Sequence, residues 1–206
     1  MGTFVHWLGK TVIRLAGWKV VPHEFSPYPR CVMVAAPHTS NWDFVLARAA
    51  FEVLNIPVRF TIKQEWTRGI AGGVLRRLGA IAIDRRPKSE QQKPISYVDA
   101  MVRLFETHPR LVILITPEGT RSVQTEWKTG FYFVARNAGV PIALGYLDYG
   151  KKEAGVGLVF YPGDDMEADM RKIMDFYAGV RARYPEKFSP DLRYRKVQGD
   201  GNPTRT

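Results

Sequence analysis

The stretch Ala36-Pro37-His38-Thr39-Ser40-Asn41-Trp42-Asp43-Phe44 decides how this chain reads. An apolar run, Cys31 to Ala36, leads into it, and a helical pattern, Phe44 to Leu54, leads out. A histidine therefore stands where a buried strand ends, and a carboxylate stands where the next helix begins. A second stretch, Thr116-Pro117-Glu118-Gly119-Thr120-Arg121-Ser122, follows another apolar run, Leu111 to Ile115. Ligands of open α/β sheets bind beyond the carboxyl ends of the strands. Polar groups from these two strand ends can thus converge on one rim, and chemistry is to be sought there.

Outward from that stretch, strands and helices alternate with little slack. A helix is predicted over Asp43–Leu54, then a strand over Pro57–Lys63, rich in β-branched and aromatic residues. A short helix at Gly69–Leu78 precedes a short strand at Ala80–Ile83. Pro94–Thr107 carries Ile95, Val98, Val102 and Phe105 on one helical face. Leu111–Ile115 reads as a fully buried strand, Gly130–Asn137 as a helix stopped by Gly139, Pro141–Leu147 and Val156–Tyr161 as strands, and Met166–Val180 as the last helix. This rhythm predicts an α/β fold, with a mostly parallel, mixed sheet flanked by helices.

The 206 residues suit one domain with a sizeable core. A formal net charge of +10 points to an anionic partner: nucleic acid, an anionic membrane or a phosphorylated substrate. The single cysteine, Cys31, excludes an internal disulfide and fits a reducing cytosol, and its place on the first apolar strand favours inert burial. No apolar run approaches the ~20 residues that span a bilayer. Residues 1–20 form an amphipathic segment in which Phe4, Val5, Leu8, Val12 and Leu15 recur at helical spacing beside Trp7 and Trp18, while His6, Lys10 and Arg14 make a basic stripe. Such a helix suits a bilayer interface, and it equally suits packing on the domain with its basic face in water. Residues 21–188 form the body, and residues 189–206 a basic tail expected to be mobile.

On the predicted rim, His38 follows the first strand, Lys63 ends the second, Arg85 follows the third, and Glu118 and Arg121 follow the fourth. One base, one carboxylate partner and several cations would suit a negatively charged substrate. Each has a plainer reading. Ser40 and Asp43 fit a capping box, a histidine at a strand end is often only a satisfied polar group, Lys63 and Arg85 could be solvated, and Glu118 could pair with Arg121. The histidines His6, His23, His38 and His108 show no metal-ligand grouping. No zinc-finger or RNP-like motif points to nucleic acid.

These residues resemble the glycerolipid acyltransferase family, the lysophosphatidic-acid-acyltransferase-like enzymes. The family's His-x4-Asp block is matched at His38 to Asp43, its Gly-x-Ile-x-Ile-Asp-Arg-like strand at Gly79 to Arg85, its Pro-Glu-Gly-Thr-Arg-Ser block at Pro117 to Ser122, and its Val-Pro-Ile strand at Val140 to Ile142. The resemblance spans roughly residues 31 to 147. It implies transfer of a fatty acyl group from acyl-CoA or an acyl-carrier protein to a lysophospholipid-like hydroxyl, in phospholipid biosynthesis. His38 would be the general base and Asp43 its orienting partner. Glu118, Gly119, Thr120 and Arg121 would form the acceptor site, with Lys63 and Arg85 widening the positive field and Lys128 a further cation. The reaction so implied uses no metal and no cofactor beyond the acyl thioester. A peripheral, cytoplasmic enzyme on the anionic inner face of the cell membrane is expected. A lipid-binding module without chemistry, and a thioester hydrolase in which His38 activates water, are the rival readings. Trp42, Phe44 and Trp66 could line an acyl channel or belong to the core.

Overall fold

The computed structural model describes residues 3–23, 28–63, 69–83 and 95–195. Its elements are helix α1 (Thr3–Leu15), strand β1 (Lys19–Val20), β2 (Arg30–Ala35), α2 (Asn41–Val53), β3 (Val58–Lys63), α3 (Gly69–Arg77), β4 (Ala80–Ile83), α4 (Tyr97–Thr107), β5 (Leu111–Ile115), α5 (Gly130–Ala138), β6 (Ile142–Asp148), β7 (Glu153–Phe160) and α6 (Met166–Ala178). The strands form one sheet in the order β1-β7-β6-β2-β5-β3-β4. Every pairing is parallel except β6 with β7. The predicted α/β class, with a mostly parallel sheet between helices, is what the chain adopts.

Strand β2 lies at the centre, and its alternation builds both faces of the core. Val32 and Val34 point to one side, where they meet Phe105 of α4, Phe131 of α5 and Ile173 of α6. Cys31 and Met33 point to the other side, against Phe51 of α2 and Val58 of β3. Both sets are fully buried, which explains the unbroken apolar run of this strand. Cys31 is as buried as its position implied, and burial pushes its thiol pKa well up. Helix α1 lies on α2, with Ile13 and Trp18 joining Leu46, Ala49 and Ala50 in a third apolar cluster.

Besides the short strand β1, which the sequence reading did not contain, three stretches differ from it. Strand β7 starts at Glu153 rather than Val156 and runs antiparallel to β6, register Asp148↔Glu153. The turn between them is far too short for a crossover, so only a hairpin can form. Helix α4 begins at Tyr97, where Ser96 caps it by accepting the Asp99 N–H; Pro94 lies outside the described residues. The tail expected to be free from residue 189 is fastened at least as far as Arg193. Asp191 is fully buried, its carboxylate accepting the Trp127 backbone N–H at 2.9 Å and pairing with Arg193 at 2.7 Å. A carboxylate with such partners is stable inside, and composition alone does not reveal them.

Among the described residues, no helix is long and apolar enough to cross a membrane.

Candidate active site

Register brings the two quoted stretches together. Val34 pairs with Ile115 across β2 and β5, so the residues after each strand emerge side by side. The Ala36–Pro37 peptide is cis. Beyond it, Ser40 caps α2 in a full capping box with Asp43 at the third helical position. The Asp43 Oδ2 accepts the backbone N–H groups of Thr39 and Ser40, each at 2.8 Å. The same oxygen lies 3.5 Å from His38 Nδ1. Asp43 therefore does both things that its spacing allowed: it caps the helix and it faces the histidine.

Asp43 is buried and His38 partly exposed. Burial pushes the Asp43 pKa up, but the facing His38 ring and bonds from the Tyr149 hydroxyl and from the Ser40 and Thr39 N–H groups outweigh it and hold the carboxyl below its usual range. The carboxylate is thus fixed as an anion behind the imidazole.

Glu118 is more deeply set than Gly119, Thr120 and Arg121, which are exposed. It is buried behind the loop, and its two oxygens accept the His38 backbone N–H at 2.9 and 3.3 Å. Among the described residues, Arg121 makes no ion pair with it. Burial, with the nearby Asp43 charge, pushes the Glu118 pKa up to about 8 against the pull of that N–H. Gly119 holds φ at +68, and a Cβ there would come within 2.7 Å of Lys128 Nζ. The loop therefore needs glycine at this turn, with the lysine laid across it. The Thr120 hydroxyl accepts the Ser122 N–H at 3.3 Å.

A cavity of about 380 Å³ opens at this rim. His38, Asp43, Thr116 and Arg121 stand at its polar part. Its apolar wall includes Phe44, Ala47 and Phe51, a single stripe of α2 at helical spacing, with Leu54 just past the helix end. Thr61 and Tyr97, bonded to each other at 3.0 Å, also line it. Arg48 reaches the wall too, paired with the buried Glu52. The structure therefore brings His38, Asp43 and the exposed Arg121 onto one cavity, with Glu118 behind it and Gly119 and Thr120 on the loop alongside. Lys63 ends β3, its backbone in register with Ile83. Arg85 and Trp66 lie outside the described residues. Phe44 lines the cavity, whereas Trp42 is exposed beside Arg183.

One residue at the site escaped the sequence reading. The Tyr149 hydroxyl donates to Asp43 Oδ1 at 2.7 Å. Tyr149 follows β6, which lies beside β2 in the sheet, so the strand-end rule that selects His38 selects this position as well. Nothing in its local pattern marks it. Among the described residues, no group of three or more His, Cys, Asp or Glu side chains is placed to hold a metal ion.

Residues 18–143 match the family model described as Acyltransferase. No curated protein matches the chain. Among solved structures, the 1-acyl-sn-glycerophosphate (LPA) acyltransferase PlsC from Thermotoga maritima is similar, with a TM-score of 0.53 over 84% of this chain and 74% of that one. The two are 16% identical in sequence, so the likeness is one of fold.

Proposed function

The chain belongs to the acyltransferase family, and on that premise we propose that it moves a fatty acyl group from an acyl thioester to the hydroxyl of a lysophospholipid-like acceptor. The observation that carries this reading is the His38–Asp43 pair at the polar part of a cavity whose α2 wall is apolar. With Nδ1 turned to Asp43, Nε2 is left for the acceptor hydroxyl. The hydroxyl proton passes to Nε2 as its oxygen bonds to the thioester carbonyl carbon, and the carbonyl electron pair moves onto oxygen. Asp43 holds the ring and stabilises the imidazolium. The 3.5 Å separation is long for a formed bond, and such contacts tighten in a complex. Collapse of the intermediate breaks the C–S bond. The departing thiolate, whose acid has a pKa of ~8.5 by analogy with cysteine, takes the proton back from the ring. An ester and a free thiol result, and the balance closes with no metal or further cofactor.

Arg121 suits the acceptor phosphate, because an exposed guanidinium at the cavity offers a planar fork of donors. The apolar stripe of α2 suits the acyl chain. The thiol part of the donor is that of coenzyme A or of an acyl-carrier protein. We place the enzyme on the anionic inner face of the cell membrane, as a peripheral protein of the cytoplasm. This is supported by α1, which packs on α2 yet exposes Val5, Trp7, Leu8 and Leu15 beside Lys10 and Arg14.

Thiol release from acyl-CoA and from acyl-carrier protein, with and without lysophosphatidic acid, tests the reading. Release that depends on the lysolipid is the expected result. Release indifferent to it would make the protein a thioester hydrolase, and binding without release from either donor would leave a lipid-binding module.

A further inference from the structure

The Asp43 carboxylate has two oxygens in unequal settings. Oδ2 takes the two backbone N–H groups of the cap and faces His38. Oδ1 takes no part in the cap, and its bond is with the Tyr149 hydroxyl at 2.7 Å. The torsion that turns a carboxylate is soft and nearly two-fold, and a swing about it moves both oxygens together. The Tyr149 bond at Oδ1 therefore adds to the hold that the cap has on Oδ2 and keeps the two oxygens from exchanging places.

Tyr149 is itself held from three directions. Its backbone N–H donates to the Arg181 carbonyl at 2.9 Å. Its ring meets Trp18 edge to face with centroids 4.8 Å apart. The Arg183 guanidinium lies 5.8 Å from the ring centre. The turn beneath it is tied by Asp148, whose carboxylate accepts the Gly150 and Lys151 N–H groups at 2.8 and 3.1 Å. Burial and the adjacent Asp43 charge raise the phenol pKa well above its ordinary value, so the hydroxyl keeps the proton it donates. A side chain braced by the end of α1, the β6–β7 turn and the segment after α6 is more rigid than its half-buried position suggests.

We propose that Tyr149 is a positioning residue for acyl transfer, its hydroxyl locking the Asp43 carboxylate through Oδ1 so that Oδ2 stays aimed at the His38 ring. This rests on the reading of His38 as base. The hydroxyl also disperses the Asp43 charge. Losing it leaves a carboxylate that holds a positive imidazole more tightly. The charged and titratable groups around this carboxylate are His38 and Glu118 from the two strand ends, Tyr149 from the turn and Arg183 behind it.

Tyr149→Phe keeps the ring, its contact with Trp18 and the backbone bond, and removes only the hydroxyl. In the full chain we expect kcat to fall roughly tenfold to a hundredfold, as for other small misplacements of a reacting group, while KM for thioester and lysolipid stays within about twofold. The acid limb of the kcat profile should move to higher pH, because the ring is held protonated further up the scale. A hydroxyl that only ties the turn to the cap would lower the melting temperature and leave both readouts at the parent's values, and that result would overturn the proposal. A fall in kcat with an unmoved acid limb would place the effect away from the carboxylate and overturn it too. His38→Ala is the control. Transfer surviving that change would remove the base and this proposal with it. Transfer abolished there but intact in Tyr149→Phe would remove this proposal alone. A thermal melt of the phenylalanine variant confirms that the folded protein is being compared.

Discussion

Replacing Asp43 by asparagine separates the two things its carboxylate touches. Asparagine can still accept the Thr39 and Ser40 N–H groups that close the cap, so the protein should stay folded, its melting temperature lowered only by the loss of the carboxylate's charge. It cannot stabilise an imidazolium, so transfer should drop roughly a thousandfold or more, as when a triad loses its carboxylate charge. Near-normal turnover in a steady-state assay would leave the cap as its whole role. Arg121 is tested by its substrate. Breaking a charge-assisted hydrogen bond costs about 1.5–3 kcal/mol, so Arg121→Ala should lower kcat/KM for phosphate-bearing acceptors by roughly one to two decades at 1.4 kcal/mol per decade, with Arg121→Lys in between. An acceptor without a phosphate should be nearly indifferent, and equal losses with both would point to a role in the loop. His38, Asp43 and Arg121 could be read from the sequence because spacing relative to an apolar run places them at strand ends. Tyr149 also follows a strand end, but its tie to Asp43 could not be read, because that partner is far away in the chain and joins it only through the pairing of β2 with β6.

Helix α1 shows where periodicity misleads. Of the apolar residues that recur along it, Val5, Leu8 and Leu15 are exposed, while Val12 joins the packing. The helix docks through Gly9, where a Cβ would lie 3.0 Å from the Ala49 carbonyl, and through the buried Ile13. His6, read as part of the basic stripe, instead turns its Nδ1 to the Glu52 carbonyl at 2.9 Å. A glycine that allows backbone approach carries no hydrophobic signal, so the packed face stays hidden while the exposed one attracts notice. That exposed face carries the membrane proposal. Lys10→Glu with Arg14→Glu should weaken binding to vesicles containing phosphatidylserine by at least about 1 kcal/mol per residue, or roughly thirtyfold for the pair at 1.4 kcal/mol per decade. The loss should shrink as salt is added. Vesicle sedimentation is the measurement, and an unchanged affinity would mean that α1 only packs on α2.

For the molecule as a whole, the alternation of strands and helices made the parallel sheet legible, but the packing of the last residues was not. Asp191→Ala removes the acceptor of the buried Trp127 N–H and the partner of Arg193; a buried donor left without its acceptor should cost about 1–3 kcal/mol in chemical denaturation. Glu118 makes stability depend on pH in an unusual direction for a carboxyl group. Its folded pKa of about 8 lies above the ordinary 4.5, so the fold holds its proton more tightly than the unfolded chain does. The stabilisation is therefore complete below about 4.5 and is lost as pH rises through about 8. Asp43, held below its usual range, works oppositely, its contribution being lost on acidification. Glu118→Gln cannot titrate, so its melting temperature should fall less between pH 5 and 8 than the parent's, and parallel curves would place the burial cost elsewhere. The segment after α6 adds one more consequence. The Arg181 carbonyl holds the Tyr149 backbone, and the Tyr184 N–H reaches the Thr39 hydroxyl at 3.3 Å. During synthesis, His38, Asp43 and Arg121 all leave the ribosome long before this segment does. A nascent chain stalled short of residue 181 would carry every reacting group and still lack the ties that steady the His38 loop and the Tyr149 turn behind it, so full activity should arrive late in translation.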